Sequence, residues 1–214
     1  MEFGRVMVPA IRNWLATRRK TVQTAEQLAD FLSRQAAFIA QKCTDDYCRG
    51  KVGVTYYALA EEMAFKEALA VCRWEGFAAV LAGLILAGRR FLAESGVESE
   101  SIDPALAALY ARILATHKLP THRPQGWDDA VDAFRARIDA ARTDQPALGV
   151  LATAAAARLF EVLPIHQRYR ELDEEVIHGA IQFQFVAFSD RFRREVDAAA
   201  VAGSLVAGPP GAEP

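Results

Sequence analysis

No apolar run in this 214-residue chain reaches the roughly 20 consecutive residues that a membrane-spanning helix needs. The longest, GFAAVLAGLILAG from Gly76 to Gly88, is closed by Glu75 on one side and Arg89-Arg90 on the other. It reads as a helix buried on most of its sides inside an all-helical core. No charge sign dominates either. A formal net charge of −2 leaves no overall electrostatic footprint for nucleic acid, so nucleic acid is not the expected partner. Cysteine is scarce, and the three present, Cys43, Cys48 and Cys72, cannot pair completely within one chain. They are expected to be reduced, in a cytoplasmic protein. Near the N-terminus Glu2, Arg5 and Arg12 interrupt the apolar stretch that a signal peptide requires. A G-x-S-x-G elbow, a Walker A loop and a G-x-G-x-x-G fingerprint are all missing, which removes the commonest hydrolase and nucleotide-binding designs. Ser204, in AGSLVAG, lacks the elbow spacing.

What the chain does have is helix signal. Its 52% hydrophobic and 24% charged residues are those of a globular domain rather than a disordered chain. Alanine is abundant and β-branched runs are few, so strands are not expected. Thr24 and Gln27 fit a capping box, and Leu28, Leu32, Ala36, Ile39, Cys43 and Tyr47 then recur every three or four residues. Gly50 and Gly53 end that helix. A second helical stretch is expected from about Tyr56 to Glu94, in which Gly76, Gly83 and Gly88 point to a close neighbouring helix or to a kink near Trp74–Gly76. Asp103-Pro104 reads as N-cap and first position of the next helix. LPTHRPQG, from Leu119 to Gly126, is a proline-punctuated loop. Helices follow from about Trp127 to Arg142 and from Gln145-Pro146 to Leu163, where Pro164 breaks the pattern. The last helix carries Ile177, Ile181, Phe185, Phe188, Phe192 and Val196 on one stripe.

The expected fold is therefore all-α, a single-domain bundle of six or seven helices around a largely buried central helix at about 76–88. Residues 1–22 are an N-terminal segment with room for a short helix after Pro9, residues 23–200 the bundle, and residues 201–214 a disordered tail.

Candidate chemistry is thin. Glu175 and His178 form a Glu-x-x-His pair, the spacing of bundle-core di-iron sites, but those sites need two such motifs and two further glutamates. No metal and no cofactor is expected. Glu61 and Glu62 fall near the side of the helix bearing Phe65, Leu69 and Cys72, where a half-buried carboxylate acts as an acid or base. The plainer reading is that both sit in a first helical turn, favoured by the macrodipole. His117 and His122 read as exposed loop residues. Cys43 and Cys48 project from different helix faces, so they form no C-x-x-C unit. Three basic clusters, Arg18-Arg19-Lys20, Arg89-Arg90 and Arg191/Arg193/Arg194, would contact phosphate only if they gathered on one face.

The stretch AAFIAQKCTDDYCRGKVGVTYYAL and the Phe-rich final helix ending RFRREVD loosely resemble uncharacterised all-helical proteins of alphaproteobacteria. The resemblance implies an all-α fold and a bacterial cytoplasmic setting. It implies no site residues, and the esterase label sometimes attached to such proteins would require a serine elbow that this chain lacks. The first functional expectation is thus a protein-interaction or adaptor module without catalysis, a homodimer or a partner-binding bundle. Phe183, Phe185, Phe188 and Phe192 would form its interface. The alternative is a small-molecule or apolar-ligand site between helices, or an atypical hydrolase, with Glu61, Glu62 and His178 as its polar groups. A nucleic-acid-binding helical protein is the third.

Overall fold

Thr24 opens the first of the described helices as its sequence predicts. Its hydroxyl accepts from the Gln27 amide at 3.2 Å, and the Gln27 side chain accepts from the Thr24 amide at 3.2 Å, which satisfies two donors that the helix itself cannot. The computed structural model describes residues 21–208. The short helix expected after Pro9 lies outside that range. Among the described residues there are seven helices: α1 (Ala25–Val52), α2 (Met63–Glu94), α3 (Ser99–Thr116), α4 (Asp128–Thr143), α5 (Leu148–Glu161), α6 (Glu174–Glu195) and α7 (Ala198–Ala207), with one further helical turn at Tyr56–Leu59. No strand occurs among them. A single parallel bridge ties Val22 to Val196, through Val22 N–H to Glu195 O at 3.0 Å and Asp197 N–H to Val22 O at 2.9 Å.

The bundle is organised around α2. Its 32 residues extend about 48 Å at 1.5 Å per residue, and α1, α3 and α5 make its largest contacts, with α4, α6 and α7 touching it as well. By length and composition α2 is the one described helix that would cross a membrane, yet 72% of its most apolar window is buried against the protein's other helices. Two of its glycines explain how neighbours come so near. A Cβ at Gly83 would stand 2.8 Å from the ring of Phe185 on α6, and one at Gly76 would stand 2.6 Å from Leu159 Cδ1 on α5. The helix runs unbroken through Trp74, so close approach, and not a kink, is what these glycines serve.

Several sequence boundaries shift. The stretch expected to begin at Tyr56 is interrupted, so that α2 starts at Met63 with Glu62 at its N-cap and Glu61 in the preceding turn. Asp103-Pro104 is not a helix start: α3 begins at Ser99, and Pro104 lies inside it, in the second turn, where it forgoes the helical hydrogen bond to Glu100 O. The bundle also extends past residue 200. Ala198–Ala207 is helical because Asp197 caps it, accepting from the Ala200 amide at 3.3 Å, and because Val201, Ala202 and Leu205 have a core to enter. Ser204, read as part of a tail, accepts a hydrogen bond from the Ala25 amide at 2.9 Å.

Candidate functional site

The two charges that bracket the apolar run of α2 do not reach solvent. Glu75 is 5% exposed and Arg89 3%. A helix packed on every side buries its flanking residues too, and each buried charge must then find partners.

Glu75 finds three. Arg123 binds it through two nitrogens, Nε to Oε1 at 2.7 Å and Nη2 to Oε2 at 2.8 Å. Arg158 of α5 donates to Oε2 at 2.7 Å, and His122 Nε2 lies 3.0 Å from Oε1. The proline loop delivers Arg123 and His122. Its turn is closed by Arg123 N–H to Pro120 O at 2.9 Å, and Gly126, at φ 92°, takes a backbone conformation that glycine alone adopts freely. Trp127 supports the Arg123 guanidinium from below, 4.5 Å from ring to carbon, and Asp129 accepts from it at 2.6 and 2.7 Å. Burial alone pushes the Glu75 carboxyl up; the hydrogen bonds from Arg123, Arg158 and His122 more than reverse this and hold it at about 2. A carboxylate so firmly ionised and so fully engaged is a poor general base.

Beside this cluster a pocket of about 250 Å³ opens between α2, α4 and α5. The space exists because alanines line it, Ala78, Ala79 and Ala82 on α2 facing Ala130 and Ala133 on α4. Tyr110 and Phe134, whose ring centroids lie 4.3 Å apart, form one wall. The Tyr110 hydroxyl donates to Ala78 O at 3.2 Å, and burial raises its pKa, so it keeps its proton. Arg137 reaches the pocket from α4. It is half-buried and, alone among the pocket's charged groups, makes no hydrogen bond or ion pair with any described residue.

Arg89 belongs to a different arrangement. Its Nε and Nη2 donate to Asp103 of α3 at 2.6 and 3.2 Å, and its Nη1 to Ala141 O at 3.2 Å. Arg142 adds a bond to Asp103 at 2.9 Å. The Asp103 side chain is fully buried, and none of Arg89, Asp103 and Arg142 lines the pocket beside Glu75. A second concavity, of about 320 Å³, lies on another side of α2 between Trp74, Phe77, His117 and Arg73. It is mainly apolar, and its arginine is already paired with Asp45 at 2.7 Å.

The residues singled out from sequence are placed elsewhere. Glu61 is exposed and held by Lys66 at 2.8 Å, while Glu62 is exposed at the start of α2. His178 is half-buried on α6 with Glu174, not Glu175, as its nearest carboxylate at 3.6 Å. None of the three lines any of the pockets described above. Phe185, Phe188 and Phe192 are core residues at 0%, 1% and 2% exposure, packed on Gly83, Phe31 and Phe91; burial withdraws them from any interface and leaves Phe183, 69% exposed, as the one on the surface. His122, expected to be solvated, is on Glu75. Among the described residues no group of three or more His, Cys, Asp or Glu side chains is placed to hold a metal. The three cysteines are buried and unpaired, and burial pushes their thiols up to about 11 for Cys43 and Cys72 and about 12 for Cys48, far from a reactive thiolate. Of the basic clusters, Arg89 is inside the protein, and Arg90 and Arg193 do gather, but on Glu94. Arg18-Arg19-Lys20 lies outside the described residues. No family model, no curated protein and no solved structure matches the chain.

Proposed function

We propose that this protein is a small-molecule-binding helical bundle that holds its ligand without turnover, in the pocket between α2, α4 and α5. The observation that carries this is the convergence of Arg123, Arg137, Arg158 and Glu75 on an alanine-lined cleft that opens to the surface between α2, α4 and α5. A few fixed polar groups around a preformed apolar hollow are what a ligand site requires. Binding without turnover fits a site whose carboxylate is locked and whose tyrosine stays protonated. The three reduced, buried cysteines support a cytoplasmic location. The test is a charge-diverse fragment screen by ligand-observed NMR, with wild type and Ala133→Leu in parallel. We expect fragments whose signal disappears when the leucine fills the void; if every hit is indifferent to Ala133→Leu, the pocket is not the site.

One observation favours a second reading, an interaction module. The turns joining α1 to α2 and α5 to α6 are held together where Asp173 accepts from Tyr47 and Lys51. They carry Val54 and Leu172, each 95% exposed, with Tyr57 at 72% and Met63 at 71%. A partner or a second copy would cover that end. Native mass spectrometry of wild type and Leu172→Asp tests it: a dimer lost in the variant supports the reading, and a monomer in both removes the homodimer.

A further inference from the structure

We propose that the ligand of this pocket is a small organic monocarboxylate with a compact apolar body, its carboxylate paired with Arg137. The inference rests on the reading of the pocket as a binding site and adds the chemistry of what fills it.

Charge matching comes first. The lining holds three arginines and two acids, Arg123, Arg137 and Arg158 against Glu75 and Asp129. Glu75 is occupied by Arg123, Arg158 and His122, and Asp129 by Arg123. One positive charge, on Arg137, is left over. Glu161 also touches Arg158, but its side chain is 68% exposed and largely screened by water. Arginine does not escape this situation by losing its proton, and burial already works against its charge. A guanidinium fork partly withdrawn from water gains most from a planar oxyanion that it can bind with two parallel hydrogen bonds.

The remaining lining narrows the choice. One surplus charge balances a monoanion; a phosphate monoester would bring nearly two negative charges beside the fixed carboxylates of Glu75 and Asp129. Apart from Arg137 and the mutually paired Glu75, Arg123, Asp129 and Arg158, the walls are alanine methyls and the Tyr110–Phe134 pair. They offer an apolar body contact area and no unused hydrogen-bond partner, since the Tyr110 hydroxyl is committed to Ala78 O. A volume of about 250 Å³ keeps that body small.

The test is a saturation-transfer NMR and calorimetric comparison of butyrate and benzoate with their neutral amides, butyramide and benzamide, and with inorganic phosphate. The wild-type protein, Arg137→Met and Ala133→Leu are titrated side by side. We expect the acids to bind wild type and the amides to bind at least about ten-fold more weakly, the worth of one charge-assisted contact. Arg137→Met should remove that preference while its thermal unfolding stays unchanged, and Ala133→Leu should remove binding altogether. Amides equal to acids, or acids indifferent to Arg137→Met, would overturn the carboxylate assignment while Ala133-sensitive binding kept the pocket reading alive. Phosphate bound more tightly than either acid would also overturn it, in favour of a phosphorylated ligand. Loss of all Ala133-sensitive binding would sink both.

Discussion

Two clusters of arginine and carboxylate sit on the same helix, fourteen positions apart, and they are built to different ends. At Arg89 one carboxylate, Asp103, meets two arginines, one of which also donates to a backbone carbonyl; Arg89 and Asp103 are 4% and 0% exposed at the side chain. At Glu75 the same residue types meet beside an open, alanine-lined hollow, and Arg137 is left unmatched. The first arrangement joins α2 to α3 and α4. The second joins α2 to the proline loop and α5 while keeping a charge in reserve. The same residue types thus serve cohesion at the first cluster and, on the reading proposed above, recognition at the second. Counting buried ion pairs would not separate the two; finding the charge without a partner does.

The largest effect should come from unsealing the closed cluster. Arg89→Met leaves the buried Asp103 carboxylate with Arg142 as its one remaining charged partner among the described residues, and removing a partner from a buried pair typically costs about 3–5 kcal/mol. Urea denaturation should show a loss of that size, with Arg89→Met/Asp103→Leu recovering much of it because no carboxylate is left buried and Arg142, 41% exposed, keeps Asp139. Between the clusters, Gly83→Ala drives a methyl toward the Phe185 ring, 2.8 Å away, and should cost roughly 1–3 kcal/mol by overpacking.

At the open cluster the effects should be smaller and pH-dependent. Glu75 is held at about 2 against its ordinary 4.5, so its contribution to stability is full above about pH 4.5 and is lost as pH falls toward 2. Wild type should therefore lose stability over that window, and Glu75→Gln should show a flatter acid limb. An unchanged acid limb in the variant would mean that Glu75 does not carry this linkage. The smallest change in stability belongs to Arg137→Met, within about 0.5 kcal/mol, since no described contact is broken.

The fold was more legible than the site. The Thr24–Gln27 box, the central apolar run and the stripe from Ile177 to Phe192 are local patterns with periods of three and four, and the structure follows them. The site is non-local. Glu75 meets Arg123 and Arg158 across 48 and 83 positions of chain, and Arg89 meets Asp103 across 14. Spacing cannot announce such partners. A signal did exist: a helix apolar all round leaves no solvent face for Glu75 and Arg89, so both needed partners from elsewhere. The aromatic stripe of α6 misled in the other direction, because its phenylalanines fit the groove over Gly83 and Gly88 and so belong to the core.

The most direct measurement follows the arginine side-chain Nε–H resonances in a ¹H–¹⁵N spectrum while benzoate is added to the wild-type protein. The account predicts a saturable shift of Arg137, a smaller response at Arg123 and Arg158, and a stationary Arg89. An Arg89 resonance that moved as far as Arg137, or an Arg137 that never moved at concentrations where benzoate binds, would contradict it.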